Sequence, residues 1–137
     1  MMKSSDYYRS LPDSMTPEAI QCELEALLLV NMEMSSLQFM EALEELADRQ
    51  WHTYTLLASP LMARVEQLII SRWQDQPEVT ESAISIVSRL GLVRVWSFLL
   101  GLDRQVVSPA SRKAIEEAEI EMASTIADPY SGMRTKD

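Results

Sequence analysis

Residues 82–102 read SAISIVSRLGLVRVWSFLLGL and form the most apolar run of this 137-residue sequence. The run is long enough to cross a membrane, for which about 20 apolar residues suffice. Arg89 and Arg94 lie near its middle, however, where each charge would cost about 2.5–3.5 kcal/mol in a bilayer. The run is therefore predicted to be buried in protein, and no membrane partner is expected.

The same run also contains residues that favour strands, since Val93-Arg94-Val95 alternates and is followed by aromatic residues. A strand needs a neighbour for its backbone donors and acceptors, and no second convincing strand or hairpin turn occurs in the sequence. Context therefore favours helices, although residues 92–100 stay open to either structure. Gly91 is predicted to end one helix and Gly101 the next, because glycine adopts the left-handed conformation without steric cost.

Length and composition indicate one globular domain. The chain is 47% hydrophobic and 24% charged, and it contains only three glycines and six prolines. So few helix-breaking residues favour long helices over many short strands. We expect an all-α, single-domain bundle of about five to six helices, with a central apolar helix pair at 82–102. The helical domain is expected at 16–128, between a polar N-terminal leader at 1–15 and a mobile C-terminal tail at 129–137.

Short polar and proline signals mark where the helices begin. A serine or threonine can cap the first turn, and a proline after it fits the first helical position, where its missing N–H is not needed. This pattern predicts starts at Thr16-Pro17, Ser59-Pro60 and Ser108-Pro109, a capping box at Ser35 with Gln38, and a cap at Asp75 with Glu78 or at Thr80. The helix after Ser35 is predicted to be the longest and to reach about Ala58, and the helix after Ser108 to reach about Asp128.

Cysteine usage and the N-terminus bear on the compartment. Cys22 is the only cysteine, so no intramolecular disulfide can form and no CxxC pattern for zinc or redox chemistry exists. Residues 1–15 lack the apolar stretch of a signal peptide. Both features favour a reducing cytoplasm. Cys22 lies off the apolar stripe of its helix and is expected to be a partly buried, inert thiol.

The net charge of −9 is unevenly distributed along the chain. Residues 11–63 hold nine acidic side chains and one basic side chain, a net charge of −8. Residues 114–128 hold five acidic and no basic side chains, a net charge of −5, whereas residues 64–113 have a net charge of +2. Direct nucleic-acid binding requires a basic footprint. We therefore expect no direct nucleic-acid partner.

Two acidic clusters recur at helical spacing. Like charges three or four residues apart destabilise a helix by about 0.2–0.5 kcal/mol per pair. Either the clusters form a solvated surface that keeps the protein soluble, or they form an electronegative docking face for a basic protein. The second interpretation predicts these partner-binding residues: Glu41, Glu44, Glu45, Asp48 and His52 on one helix, and Glu116, Glu117, Glu119 and Glu121 on another.

The sequence contains no recognisable catalytic or metal-binding motif. A carboxylate-bridged metal site needs Glu-x-x-His, but Arg49 stands where the glutamate would precede His52. GxSxG, Walker and GxGxxG motifs do not occur, and carboxylates on a solvated helix face do not suit glycosidase chemistry. We expect no metal, no cofactor and no enzymatic activity. An enzyme with scattered, motif-free residues stays an open alternative that would need a closed polar pocket with perturbed titrating groups.

The leading hypothesis is an acidic, cytoplasmic binding protein that masks a basic protein partner stoichiometrically. Immunity proteins, antitoxins and inhibitors act in this way. On this hypothesis, the partner is a basic protein such as a toxin or a nuclease domain. The alternative is a chaperone or assembly adaptor that shelters an apolar segment in a groove lined by methionine and leucine, for which nine methionines supply adaptable contacts. A homodimer is also compatible with the sequence.

Overall fold

The computed structural model describes residues 5–122, and this range is helical without a strand. Its elements are α1 (Ser5–Arg9), α2 (Pro17–Val30), a 3₁₀ turn (Asn31–Glu33), α3 (Ser36–Trp51), α4 (Ser59–Arg72), α5 (Pro77–Leu90), α6 (Val93–Leu100) and α7 (Pro109–Met122). The all-α, single-domain bundle is thus confirmed, with slightly more helices than the five to six expected. The predicted continuation to about Asp128 and the predicted tail at 129–137 lie outside the described residues.

Local side chains cap two of the helices as the sequence predicts. The Thr16 hydroxyl oxygen accepts a hydrogen bond from the Ala19 N–H at 3.1 Å, and Pro17 takes the first position of α2. Ser35 and Gln38 form the predicted capping box, in which each side chain accepts from the backbone N–H of the other. These bonds satisfy backbone donors that the first helical turn leaves without an intrahelical partner.

The starts of α4 and α5 are less well predicted. The helix α4 begins at Ser59 as expected, but without a side-chain cap. The helix α5 begins at Pro77, also without one. Asp75 binds Ser108 instead, and Thr80 is fully buried within α5. The prediction that Asp75 or Thr80 caps this helix is therefore wrong.

The helix α3 is the longest in the described range, at 16 residues, but it ends at Trp51, well before its predicted end. Tyr54 has a φ of 60°, in the left-handed region that residues other than glycine rarely adopt. The Thr53 hydroxyl donates to the Gln50 carbonyl at 2.7 Å and accepts from the Thr55 N–H at 3.2 Å. Such side-chain bonds compete with the helical backbone pattern and stop the helix.

The apolar run at 82–102 forms parts of α5 and the whole of α6, which shows that residues 93–100 are helical. Gly91 separates the two helices in a left-handed conformation, with a φ of 71°, and its N–H donates to the Val87 carbonyl at 2.8 Å. Gly101 ends α6 with a right-handed backbone, so the conformational reason predicted for this glycine is wrong. None of the helices within 5–122 combines the length and hydropathy needed to cross a bilayer.

The helices α3 and α5 pack on each other most extensively and form the centre of the bundle. The helices α1 and α2 cover α3, α7 covers α5, and α6 packs on α4 as well as on α5. One core joins these helices, and its fully buried side chains include Phe39, Met40, Leu43, Leu46, Ile86, Val87, Leu90 and Ile115. As a result, α5 lies between α3 and α7, the two helices with the acidic clusters.

Candidate partner-binding surface

The acidic cluster of α3 lies at the edge between α3 and α5. Glu44, Glu45 and Asp48 of α3 line a cleft of about 210 Å³ together with Ser85 and Arg89 of α5. All of these side chains are half-buried. The three- and four-residue spacing on α3 therefore places the three carboxylates on one face of the helix, and that face opens toward α5.

Arg89 neutralises part of this cleft. One of its terminal nitrogens lies 3.8 Å from a carboxylate oxygen of Asp48, and its guanidinium lies 4.9 Å from the centre of the Trp51 ring. The ring face attracts the cation in addition to the carboxylate. Among residues 5–122, Glu44 has no ion-pair partner, and the same holds for Glu41, which lies on α3 outside the cleft lining. The cleft thus retains an excess of negative charge.

Glu45 is bound to a buried arginine that has a structural role. Arg49 is 4% exposed, and its guanidinium donates to the Glu45 carboxylate at 2.9 Å. The same guanidinium donates to the backbone carbonyls of Arg9 and Leu11 at 3.2 and 2.8 Å. It also lies 3.9 Å from the exposed carboxylate of Asp13. Arg49 thus fastens the segment after α1 to α3, and Glu45 serves partly as its counter-ion.

His52 lies at the C-terminal end of α3, one turn beyond the cleft. Its Nδ1 is 2.8 Å from the Asp48 carbonyl oxygen, and its ring meets the Trp51 ring edge-on, with 5.1 Å between centroids. The side chain is 54% exposed. His52 thus lies one turn after the α3 carboxylates, where the sequence places it, but it does not line the cleft.

The acidic cluster of α7 is divided between two sides of its helix. Glu117 and Glu121 line a groove that α7 forms with α5. Glu116 and Glu119 instead bind Arg104 in the loop before α7, with nitrogen–oxygen distances of 3.3 and 3.0 Å. The four glutamates that the sequence groups together therefore do not form one surface.

The groove between α5 and α7 has a volume of about 380 Å³, with small and apolar side chains between charged ones. Its lining consists of Pro77, Glu81 and Ile84 from α5 and Ala110, Lys113, Ala114, Glu117, Ala118 and Glu121 from α7. Lys113 lies 4.0 Å from the Glu117 carboxylate, and both side chains are mostly exposed. Both residues belong to α7, and an exposed ion pair of this kind contributes about 0–1 kcal/mol, so it does not tie α7 to α5 across the groove.

The α3 cleft and the α7 groove lie on the two flanks of α5. Glu81 and Ile84 line the groove, whereas Ser85 and Arg89 line the cleft. Residues four apart on a helix are neighbours, so the two openings are adjacent. In the part of the chain that the structure describes, six carboxylates and two cations line them together. The sequence left open whether the two acidic helices share a face, and it did not single out Glu81.

Polar contacts fix α7 onto α5 at one end of the groove. Thr80 and Ser111, both fully buried, share a hydrogen bond of 3.0 Å, and the Trp73 indole N–H donates to the Thr80 hydroxyl at 3.2 Å. The Asp75 carboxylate accepts from the Ser108 N–H and hydroxyl, both at 2.8 Å. Asp75 and Ser108 shortly precede α5 and α7, and Thr80 and Ser111 lie near the starts of these helices, so α5 and α7 begin side by side and run in the same direction.

The Asp75 contact has an electrostatic consequence. The Ser108 N–H, followed by the Ser108 hydroxyl, stabilises the charged carboxylate and lowers the pKa of Asp75 below its ordinary value of 3.8. The Ser108 hydroxyl oxygen also lies 3.4 Å from the Ser111 N–H in the first turn of α7. Ser108 thus connects the start of α7 to the loop before α5.

Glu66 is an acid with a different role, which the sequence did not reveal. It is 7% exposed, and its carboxylate accepts from the Arg94 N–H at 2.8 Å. Arg94 lies in the first turn of α6, whose N–H groups lack intrahelical partners. Glu66 therefore caps α6 from another helix and does not belong to the acidic face.

An exposed apolar surface lies at the C-terminal end of α2. Leu29 and Met32 are 81% and 79% exposed. Cys22, on the same helix, is exposed as well, so the expectation of a partly buried thiol is wrong. Met34 and Met40 are buried and belong to the core.

Comparisons with known proteins do not extend this description. No protein-family model, curated protein or solved structure matches the chain. No group of three or more histidine, cysteine, aspartate or glutamate side chains within residues 5–122 is placed to hold a metal ion.

Proposed function

We propose that this protein is a cytoplasmic, non-enzymatic acidic binding protein that masks a basic protein partner stoichiometrically, as immunity proteins, antitoxins and inhibitors do. One observation carries the proposal. The cleft and the groove flank the same helix, and among the described residues six carboxylates line them against two cations, with only one of the six, Glu45, bound to the buried Arg49. A basic surface of a toxin or nuclease domain complements such a face.

The two cations on this face are held by exchangeable contacts. Arg89 lies 3.8 Å from Asp48, and Lys113 lies 4.0 Å from Glu117. Partly exposed pairs of this kind contribute about 0–1 kcal/mol. A lysine or arginine of the partner can therefore compete with either cation for its carboxylate. The remaining carboxylates attract the partner over a distance of about one Debye length, roughly 8–10 Å at physiological salt.

The association rate tests this proposal. The full chain is used as bait to recover a basic partner, and association of the purified pair is then followed by stopped-flow fluorescence at low and high salt. The triple variant Glu44→Gln, Asp48→Asn, Glu121→Gln should associate about tenfold or more slowly at low salt, because electrostatic steering raises association rates by about 10–10³-fold. Raising the salt concentration should reduce the difference between this variant and the unmodified chain.

A matched variant controls for net charge alone. Glu18→Gln, Glu25→Gln and Glu33→Gln remove three exposed acids outside the cleft and the groove. This control should change the association rate much less. An equal effect of both variants would contradict a localised docking face, and salt-independent association would contradict the electrostatic basis of the proposal.

A second candidate function is a chaperone or assembly adaptor that shelters an apolar segment. The exposure of Leu29 and Met32, three residues apart, favours this candidate because both large apolar side chains lie open to solvent in the part of the chain that the structure describes. The double variant Leu29→Ser, Met32→Ser should then weaken partner binding by a similar factor at low and at high salt. If the two side chains instead form a homodimer interface, the unmodified chain should sediment as a dimer and this variant as a monomer.

A further inference from the structure

On the basis of the proposed function, we propose that the groove between α5 and α7 receives a cationic amphipathic helix of the partner. The groove has a volume of about 380 Å³, at the low end of the range of about 300–1,000 Å³ for ligand pockets. It therefore accommodates one face of a helix rather than a whole domain.

The wall that α7 contributes is shaped for close approach. Ala110, Ala114 and Ala118 recur at four-residue steps and all line the groove. A four-residue step forms one ridge of a helix, and the ridges of one helix pack into the grooves of another. Methyl side chains keep this ridge low, so that the backbone of an incoming helix can come near. Ile84 on the α5 wall supplies an apolar contact for the same helix.

The charges of the groove define the flanks of its occupant. Glu81 stands on the α5 wall, and Glu117 and Glu121 stand on the α7 wall, one helical turn apart. A helix lying between these walls faces carboxylates on both flanks. Its lysines or arginines must therefore border its apolar stripe on both sides, and two of them must be four residues apart to meet Glu117 and Glu121.

The groove also has a direction. The N-terminal ends of α5 and α7 lie together, because Asp75 binds Ser108 and Thr80 binds Ser111. A helix N-terminus carries a partial positive charge, and Lys113 lies near this end as well. The C-terminal end of the occupant, which carries a partial negative charge, is complementary to it. The occupant therefore runs antiparallel to α5 and α7.

The test uses a synthetic peptide of about four helical turns, about 14 residues, with one leucine stripe bordered by lysines. Fluorescence anisotropy measures its dissociation constant for the unmodified chain and for Ala110→Trp and Ala114→Trp, which fill the groove without changing its charge. Ala110 is exposed, so that its variant retains the fold even if the half-buried Ala114 does not tolerate tryptophan. Ala19→Trp, at an exposed site on α2, is the matched control.

We expect Ala110→Trp to weaken peptide binding about tenfold or more, and Ala19→Trp to leave it unchanged. A peptide with the same residues in scrambled order should bind more weakly than the amphipathic one. Equal binding of the scrambled peptide, or undiminished binding to both groove variants, would overturn the groove as the docking site. A dimer of this chain that dissociates in Ala110→Trp would assign the groove to a second copy, and would likewise overturn the inference.

These outcomes are separable from a failure of the proposed function. The groove variants keep every carboxylate, whereas the Glu44, Asp48 and Glu121 triple variant removes charge and keeps the alanine ridge. If the natural partner associates more slowly with the charge variant but not with Ala110→Trp, the acidic docking face is supported, and the inference that a partner helix binds in the groove is wrong. If the charge variant has no effect on the natural partner, the proposed function itself fails.

Discussion

The acidic clusters of α3 and α7 have similar sequence spacing but different anchors. On α3, Glu45 binds Arg49, which is 4% exposed and lies on the same helix. On α7, Glu116 and Glu119 bind Arg104, which is 30% exposed and lies in the preceding loop. The α3 anchor lies inside the protein and holds other segments in place, whereas the α7 anchor lies closer to solvent.

The comparison shows that spacing alone does not decide what a carboxylate does. Helical spacing makes the repulsion between carboxylates similar in both clusters. The position of the nearby arginine decides which carboxylates have a structural role. Glu44 and Asp48 border the opening on one flank of α5, and Glu117 and Glu121 border the opening on the other, whereas Glu41 lines neither. Within a few residues of each helix, therefore, some acids bind an anchoring arginine and others border an opening beside α5.

The largest expected effect separates the two anchors. Arg49→Met removes a buried guanidinium that binds Glu45 and the carbonyls of Arg9 and Leu11. It should lower the free energy of unfolding by about 2–4 kcal/mol. The matched change Arg104→Met should cost about 0.5–1 kcal/mol, because its partners are partly solvated. Urea unfolding followed by circular dichroism measures both values, and equal costs would remove the distinction between the anchors.

A smaller effect is expected where α7 attaches to α5. Thr80→Val keeps the side-chain volume but removes the hydroxyl that binds the Trp73 N–H and the Ser111 hydroxyl. Leaving buried polar groups without this partner should cost about 1–2 kcal/mol. A double-mutant cycle with Ser111→Ala should show a coupling energy above about 0.5 kcal/mol. Strict additivity of the two variants would mean that this bond does not hold α7.

The smallest expected effect depends on pH. The folded state lowers the pKa of Asp75, so its contact with Ser108 stabilises the protein above pH 3.8 and loses this contribution as pH falls through the lowered pKa. Asp75→Asn should therefore reduce the melting temperature at neutral pH, and the difference should shrink in acid. Glu78→Gln, a change of an exposed acid three residues later, is the control. A difference that stays constant with pH would contradict this role of Asp75.

Local signals predict most of the helix boundaries. Thr16, the Ser35–Gln38 box and Gly91 each act through their own backbone or that of residues within four positions, so the sequence contains the complete interaction. The end of α3 is different. Apolar residues continue at helical spacing past Trp51, but hydrogen bonds of Thr53 stop the helix. The periodicity of apolar residues contains no information about this competition, so the predicted helix is longer than α3.

The candidate surface is only partly predictable. The sequence identifies the carboxylates of α3 and α7, because their spacing is local. It does not show that α5 lies between them, that Glu81 joins them, or that Arg89 reaches Asp48, since these relations depend on packing between distant segments. Glu66 illustrates the same limit. In the sequence, Glu66 looks like an acid on the protein surface, whereas its burial follows from the position of α6.

The hydrogen bond between Thr80 of α5 and Ser111 of α7 also has a consequence while the chain is being synthesised. The ribosome makes α7 after α3 and α5, so these two helices can pack before α7 is present. Until then water reaches the hydroxyl of Thr80, and the uncovered flank of α5 is partly hydrophilic. Exposed apolar surface on an incomplete chain promotes aggregation. We therefore expect the Thr80 hydroxyl to make this flank of α5 less prone to aggregate until α7 covers it.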